Sequence, residues 1–314
     1  MAGDPGGQQL HGAQQPPQPG GVELARVVRA PDQPHHDVVG HQRARCANST
    51  PRIVAHPRVD GVVQDERRPV ARPERVVWNR LAERRGELFS RELAPDRHAY
   101  WWARRHDGGP GRLNRWVDRL RDTTLENVPY VDPTAAGEGA RVLLLLHEPA
   151  ADAEDGSGFV SRYANDAVSA NLYRAADRAG LGHEVTLHWH LVPWWIANPN
   201  HHPPRRLADE VVRAKPRLAE FLDLLGAPPA EVVLLGSPAG KAWDVLARRA
   251  GLPWQLTTAT VSRAPHPNPL VHDRLDPLTG RRNGDRLVEV LRHAAQRARG
   301  EVVPPARTSG RRPF

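Results

Sequence analysis

Five short segments of this chain place acid, imidazole, aromatic and basic groups beside prolines and glycines. His147-Glu148-Pro149 follows an apolar run, Val142–Leu146. A carboxylate just past a buried segment can stabilise a developing cation and orient a water molecule. Gly156-Ser157-Gly158-Phe159-Val160-Ser161 sets an aromatic face on a glycine-flanked turn, where it could stack on a planar ligand. An acid at a helix start and an ordinary core phenylalanine would account for the same residues. His188-Trp189-His190 puts two imidazoles two residues apart, so on a strand they share one face. With His201 or His202 they could bind a metal, or they could serve as hydrogen-bonding groups. Gly236-Ser237-Pro238-Ala239-Gly240-Lys241 has three residues between its glycines where a phosphate loop needs four, and Ala242 where that loop needs Ser or Thr. What remains is a helix start capped by Ser237, with Lys241 nearby, able to hold a phosphate oxygen. Pro265-His266-Pro267-Asn268-Pro269-Leu270 fixes one imidazole on a stiff loop, unless it is a plain proline-rich turn.

These segments need a scaffold, and hydrophobic patterning supplies one. Strands are expected at Arg141–Leu146, Val185–Val192, Glu231–Leu235 and Gln255–Ser262, with helices at Asn171–Ala179, Leu207–Leu225, after Pro238, and at Gly284–Arg299. Pro216 should kink or break the second of these helices. Alternation of strands and helices predicts an α/β fold, a three-layer α/β/α sandwich around a mostly parallel four-stranded sheet. In such sheets ligands sit just beyond the carboxyl ends of the strands, where the candidate segments fall.

Upstream, 76–139 is expected to be a helical lead-in. Val77–Leu93 is helix-like, and Arg112–Arg121 carries Leu113, Trp116, Val117 and Leu120 on one stripe. Trp78, Trp101, Trp102 and Trp116 are expected to pack rather than bind. The single domain is expected to span 76–299. Residues 1–75 hold 8 glycines and 10 prolines without sustained periodicity, which suits a disordered segment or an over-extended gene start. Residues 300–314 suit a frayed basic tail. Cys46 with His35, His36 and His41 would make at best a weak metal site.

Composition narrows the function classes. A single cysteine among 314 residues excludes a disulfide scaffold, a cysteine zinc site and a cysteine-held iron–sulfur cluster. The longest apolar run is far short of the roughly 20 residues of a spanning helix. No apolar signal region opens the chain, so a cytoplasmic location is expected. Lys+Arg exceed Asp+Glu by 44 to 36, and only Lys215 and Lys241 are lysines, so the excess permits a polyanionic partner without demanding one.

In combination, four of these segments, with Val128-Pro129-Tyr130-Val131-Asp132-Pro133 ahead of them, resemble the uracil-DNA glycosylase superfamily, in particular an actinobacterial-type branch without an iron–sulfur cluster. The similarity covers roughly 112–298 and rests on His147-Glu148-Pro149, Gly156–Ser161, Trp189-x-x-Val192-Pro193-Trp194 and His266-Pro267-Asn268-Pro269 in order. The resemblance implies a cofactor-free, metal-free DNA glycosylase of base excision repair, expected to be a monomer, acting on uracil or a related deaminated base in DNA. It puts Glu148 beneath the sugar and His266 at the leaving base as catalytic groups, with His147, Pro149, Phe159 and His190 around the extruded base. Asn268, Pro269 and the wedge Leu270 would enter the minor groove, and Ser237 and Lys241 would hold phosphates. Two positions depart from the pattern. His190 stands where relatives carry Asn, and Ala150-Ala151 stand where relatives often carry glycine. A neutral imidazole has its donor and acceptor on opposite sides of the ring and cannot offer both to adjacent base atoms. A non-catalytic nucleic-acid- or nucleobase-binding member of the same fold is the alternative, and a metal-dependent hydrolase built on the histidines is a more distant one.

Overall fold

The computed structural model describes residues 76–150, 156–198 and 204–301. Expectations for 1–75, Ala151, His201, His202 and the tail beyond 301 fall outside the described residues. In chain order the elements are α1 (Arg80–Arg84), α2 (Pro95–Ala103), α3 (Gly108–Thr124), β1 (Tyr130–Val131), β2 (Val142–Leu146), β3 (Phe159–Val160), α4 (Ala167–Ala179) and β4 (Thr186–His190). They continue with α5 (Leu207–Asp223), β5 (Glu231–Leu235), α6 (Ser237–Val245), β6 (Thr260–Ala264), α7 (Pro269–His272) and α8 (Asn283–Ala298).

Strands β4, β2, β5 and β6 lie side by side in that order, every pair parallel. Side chains alternate across the sheet, and each face feeds its own core. Leu143, Leu145, Trp189, Val232 and Leu234 pack with residues of α3, α5 and α6. Val142, Leu144, Val233, Leu235 and Ala264 pack with α4 and α8. Coverage on both faces explains the unbroken apolar run of β2 and makes the architecture a three-layer α/β/α sandwich. The chain runs from β2 outward to β4, then crosses back to β5 on the other side of β2. The strand order therefore reverses at β2, and the crevice beyond its carboxyl end is the place where such sheets bind ligands.

Several elements differ from the sequence-based expectation. Val77–Leu93 is not one helix. Its α1 stops at Arg84, because Gly86 takes φ +66° and the Glu87 amide donates back to the Ala82 carbonyl at 2.8 Å, a glycine-terminated helix end. Trp78 there is 54% exposed rather than packed. Pro216 neither breaks nor ends α5, which runs on to Asp223. The carbonyl deprived of its donor belongs to Val212, an exposed position that water can satisfy. The fourth strand begins five residues later than expected: Trp254–Leu256 is a 3-10 turn closed by Thr257, and β6 starts at Thr260. Ser237 does not cap α6; it is the first helical residue, and Gly236 is the cap. The lead-in also contributes a strand, since β1 pairs in parallel with β3. Among the described residues no helix is long and apolar enough to cross a membrane.

Candidate functional site

Beyond the carboxyl end of the sheet lies a cavity of ≈ 730 Å³. Its wall includes Glu148, His266, Phe159, His190, His147, Pro149, Asn268 and Pro269, so most of the sequence-expected site residues share one space. Ser237, Lys241 and Leu270 are not part of that wall; all three side chains are exposed outside it, on α6 and α7.

Glu148 sits two residues past β2. One carboxylate oxygen accepts the main-chain amides of Ile196 and Ala197, the latter at 3.2 Å, and the other lies 3.2 Å from His147 Nε2. Burial alone would raise its pKa, but the His147 contact and the two amides outweigh burial and hold it below the ordinary value. Glu148 is thus an anion at neutral pH, and it ties the loop after β2 to the loop after β4.

His266 sits two residues past β6, held against Gly236. A Cβ at residue 236 would lie 2.8 Å from both Cβ and Cδ2 of His266, and the glycine's φ of +91° suits no L side chain. Asn171 of α4 braces the loop by donating to the Pro267 carbonyl at 2.7 Å. His266 Nδ1 accepts the Asn268 amide at 3.0 Å, so in the neutral ring the proton rides on Nε2. Burial, aided by the nearby His147, lowers the His266 pKa to about 4. A neutral imidazole with a fixed Nε2–H is a hydrogen-bond donor that stays a donor across the physiological range.

His190 ends β4 and is buried. Burial, with His147 adding to it, lowers its pKa to about 3, and its Nδ1 has no hydrogen-bond partner among the described residues. Its strand neighbour His188 also borders the cavity, and burial drives its pKa well below the ordinary range. Among the described residues no three His, Cys, Asp or Glu side chains are grouped to hold a metal. The tryptophans of the second motif are structural. Trp189 stacks on Phe221 of α5 with ring centroids 4.6 Å apart, and Trp194 donates to Glu210 at 2.7 Å.

The Phe159 ring is flanked by Phe89 at 5.4 Å and Trp102 at 5.5 Å, centroid to centroid. Gly158, at φ +73°, lets Trp102 approach where a Cβ would meet the indole at 2.7 Å. Beneath this aromatic wall lies a buried polar network that the sequence did not single out as functional. Asp132 accepts from Ser161 Oγ at 2.5 Å and Thr134 Oγ1 at 2.6 Å, with His183 Nε2 at 3.2 Å. Burial would raise the Asp132 pKa, yet His183 and the two hydroxyls lower it to about 2. Phe89, which lines the cavity, and Asn171 and Gly236, which position the His266 loop, were missed, as was Asp132, which braces the wall through Ser161. Only Gly236 carried a signal, as the glycine that ends an apolar strand directly before a helix. The chain matches no family model, and no curated protein matches it.

Proposed function

We infer that this protein is a DNA glycosylase that hydrolyses the N-glycosidic bond of uracil or a related deaminated base, a member of the uracil-DNA glycosylase superfamily that its motifs resemble. The observation that carries the reading is the meeting of an anionic Glu148 and a neutral, Nε2-protonated His266 in one cavity that Phe159 also borders. Cleavage breaks the bond between sugar C1′ and the base nitrogen, N1 in uracil, and the electron pair leaves with the base. The Glu148 carboxylate stabilises the sugar cation and orients the water that adds at C1′, taking up its proton. His266 Nε2–H donates to the base carbonyl oxygen on which the negative charge collects. Phe159 supplies a face for the extruded base. No step calls on a metal or an organic cofactor, and the partner is damaged DNA.

Single-turnover cleavage of uracil-containing oligonucleotides tests the reading. Wild-type protein should leave alkali-labile abasic sites, and Glu148→Gln or His266→Ala should each slow this by about 100-fold or more, with far-UV circular dichroism unchanged. Equal rates in wild type and variants would end it. The alternative, a binding member that cleaves nothing, draws on His190. With Nδ1 buried, that ring offers a base edge only its other nitrogen, where an Asn amide would offer a donor and an acceptor side by side. A panel of deaminated bases decides between them: His190→Asn should raise uracil cleavage relative to the other bases.

A further inference from the structure

Ten large hydrophobic side chains are markedly exposed among the described residues, and three of them fall within nine residues of one another. They are Leu270 at 72%, Leu275 at 61% and Leu278 at 90% exposed. Leu270 is the expected wedge beside the cavity. Leu275 and Leu278 belong to the loop that follows α7, which neither the motifs nor the cavity uses. Three apolar side chains left in water within one short segment point to a contact surface.

The loop is stiff. Leu275 bridges to Arg282 across its base, the Asp276 amide donates to the Arg281 carbonyl at 2.8 Å, and Asp276 Oδ1 accepts the Leu278 and Thr279 amides at 3.0 and 2.9 Å. Asp276 is also paired with Arg286 of α8, which ties the turn to the domain. Leu278 is therefore held out by a braced turn. Its flanks are cationic: among the described residues neither Arg274 nor Arg282 makes an ion pair, although Arg282 donates to the Asp273 main-chain oxygen at 3.4 Å and, after the His272 contact, its charge helps hold the Asp273 carboxyl below its ordinary pKa. The loop's carboxylates are occupied, Asp273 by His272 at 2.8 Å and Asp276 by the turn and Arg286.

We propose that the 273–282 loop is a second duplex-contacting element, with Leu278 pressing into the minor groove a short way along the strand from Leu270 and with Arg274 and Arg282 on the flanking phosphates. The proposal rests on the glycosylase reading for its partner. An apolar tip between guanidiniums that make no ion pair suits a groove walled by phosphates, because the tip displaces groove water or unstacks a step while the arginines bind the backbone. Two contacts would hold the duplex bent while the base is extruded.

Duplex binding, measured across a salt series, and cleavage of matched single- and double-stranded substrates provide the test. Leu278→Ser, at an exposed position, should weaken duplex binding by about 5-fold and leave single-strand cleavage unchanged. Arg274→Ala with Arg282→Ala should lower the slope of log Kd against log salt by about 2. Unchanged duplex affinity and slope in these variants would overturn the proposal, as would an equal loss on single strands. A wild-type protein that binds duplex but cleaves nothing ends the glycosylase reading alone, since the binding arms still judge the loop. One that binds no duplex ends the loop proposal alone, and single-strand cleavage then judges the glycosylase reading.

Discussion

Glu148, His190 and His266 reach the cavity from the ends of parallel strands in one sheet, whereas Phe89, Ser157 and Ser161 reach it from short segments that the sheet does not hold. The first group is placed by backbone pairing over long stretches, with apolar packing on both faces. The second is placed by side chains bonded to main chain. Asn79 donates to the Arg162 and Ala164 carbonyls, Asn114 pairs with both the N–H and the C=O of Val131, and His98 donates to the Ser157 carbonyl at 2.8 Å. The sheet wall can lose a cavity-facing side chain and still stand, because its position is over-determined. The lead-in wall depends on individual polar contacts, each buried and costly to leave unmade.

That contrast predicts opposite phenotypes. The largest effect on stability should come from Asp132→Ala, which strips partners from Ser161, Thr134 and His183 at once. Urea unfolding should show a loss of about 3 kcal/mol, with the molecules that remain folded cleaving at the wild-type rate. A stable variant with lost activity would invert the comparison. Next is Gly236→Ala on the sheet side, where the added methyl must push the His266 ring or shift the turn. Cleavage should fall about 30-fold, and stability should fall by about 1–2 kcal/mol, since the residue keeps its positive φ. A stability loss with normal turnover would mean that the ring tolerates the displacement.

The third effect is one of slope. His190 and His266 titrate near 3 and 4 in the folded protein, and His188 well below the ordinary 6.5. Between pH 6.5 and about 4 the unfolded chain binds protons that these folded imidazoles refuse, so stability must fall as pH falls through that window and level off above it. Each contributes up to about 1.4 kcal/mol per pH unit. Urea midpoints at pH 7.5, 6 and 5 should therefore drop more steeply for wild type than for His190→Asn. Parallel profiles would show that the His190 ring is not held neutral by burial.

What the sequence disclosed follows the same division. β2 and β5 were legible because burial on both faces demands continuous apolar runs, and the motif residues were legible because they sit where those runs stop. β6 was shifted because Trp254, Leu256 and Val261 resemble strand residues, while Pro253 and the Thr257 hydroxyl favour a turn. The arrest of α1 at Gly86 was written in one glycine, but the charged repeat around it reads as helix. Asp132 and Asn171 gave no local sign of their roles, since their partners lie 29 and 96 residues away. Contacts of that span leave no periodicity to detect.

The pinning of Glu148 by the Ile196 and Ala197 amides turns the carboxylate into a latch between two loops. A cationic species that draws the acid toward itself must compete with those two N–H groups, and when it succeeds both amides are released to solvent. Occupancy of the pocket would then register as faster deuterium uptake at residues 196 and 197, a signal that needs no turnover.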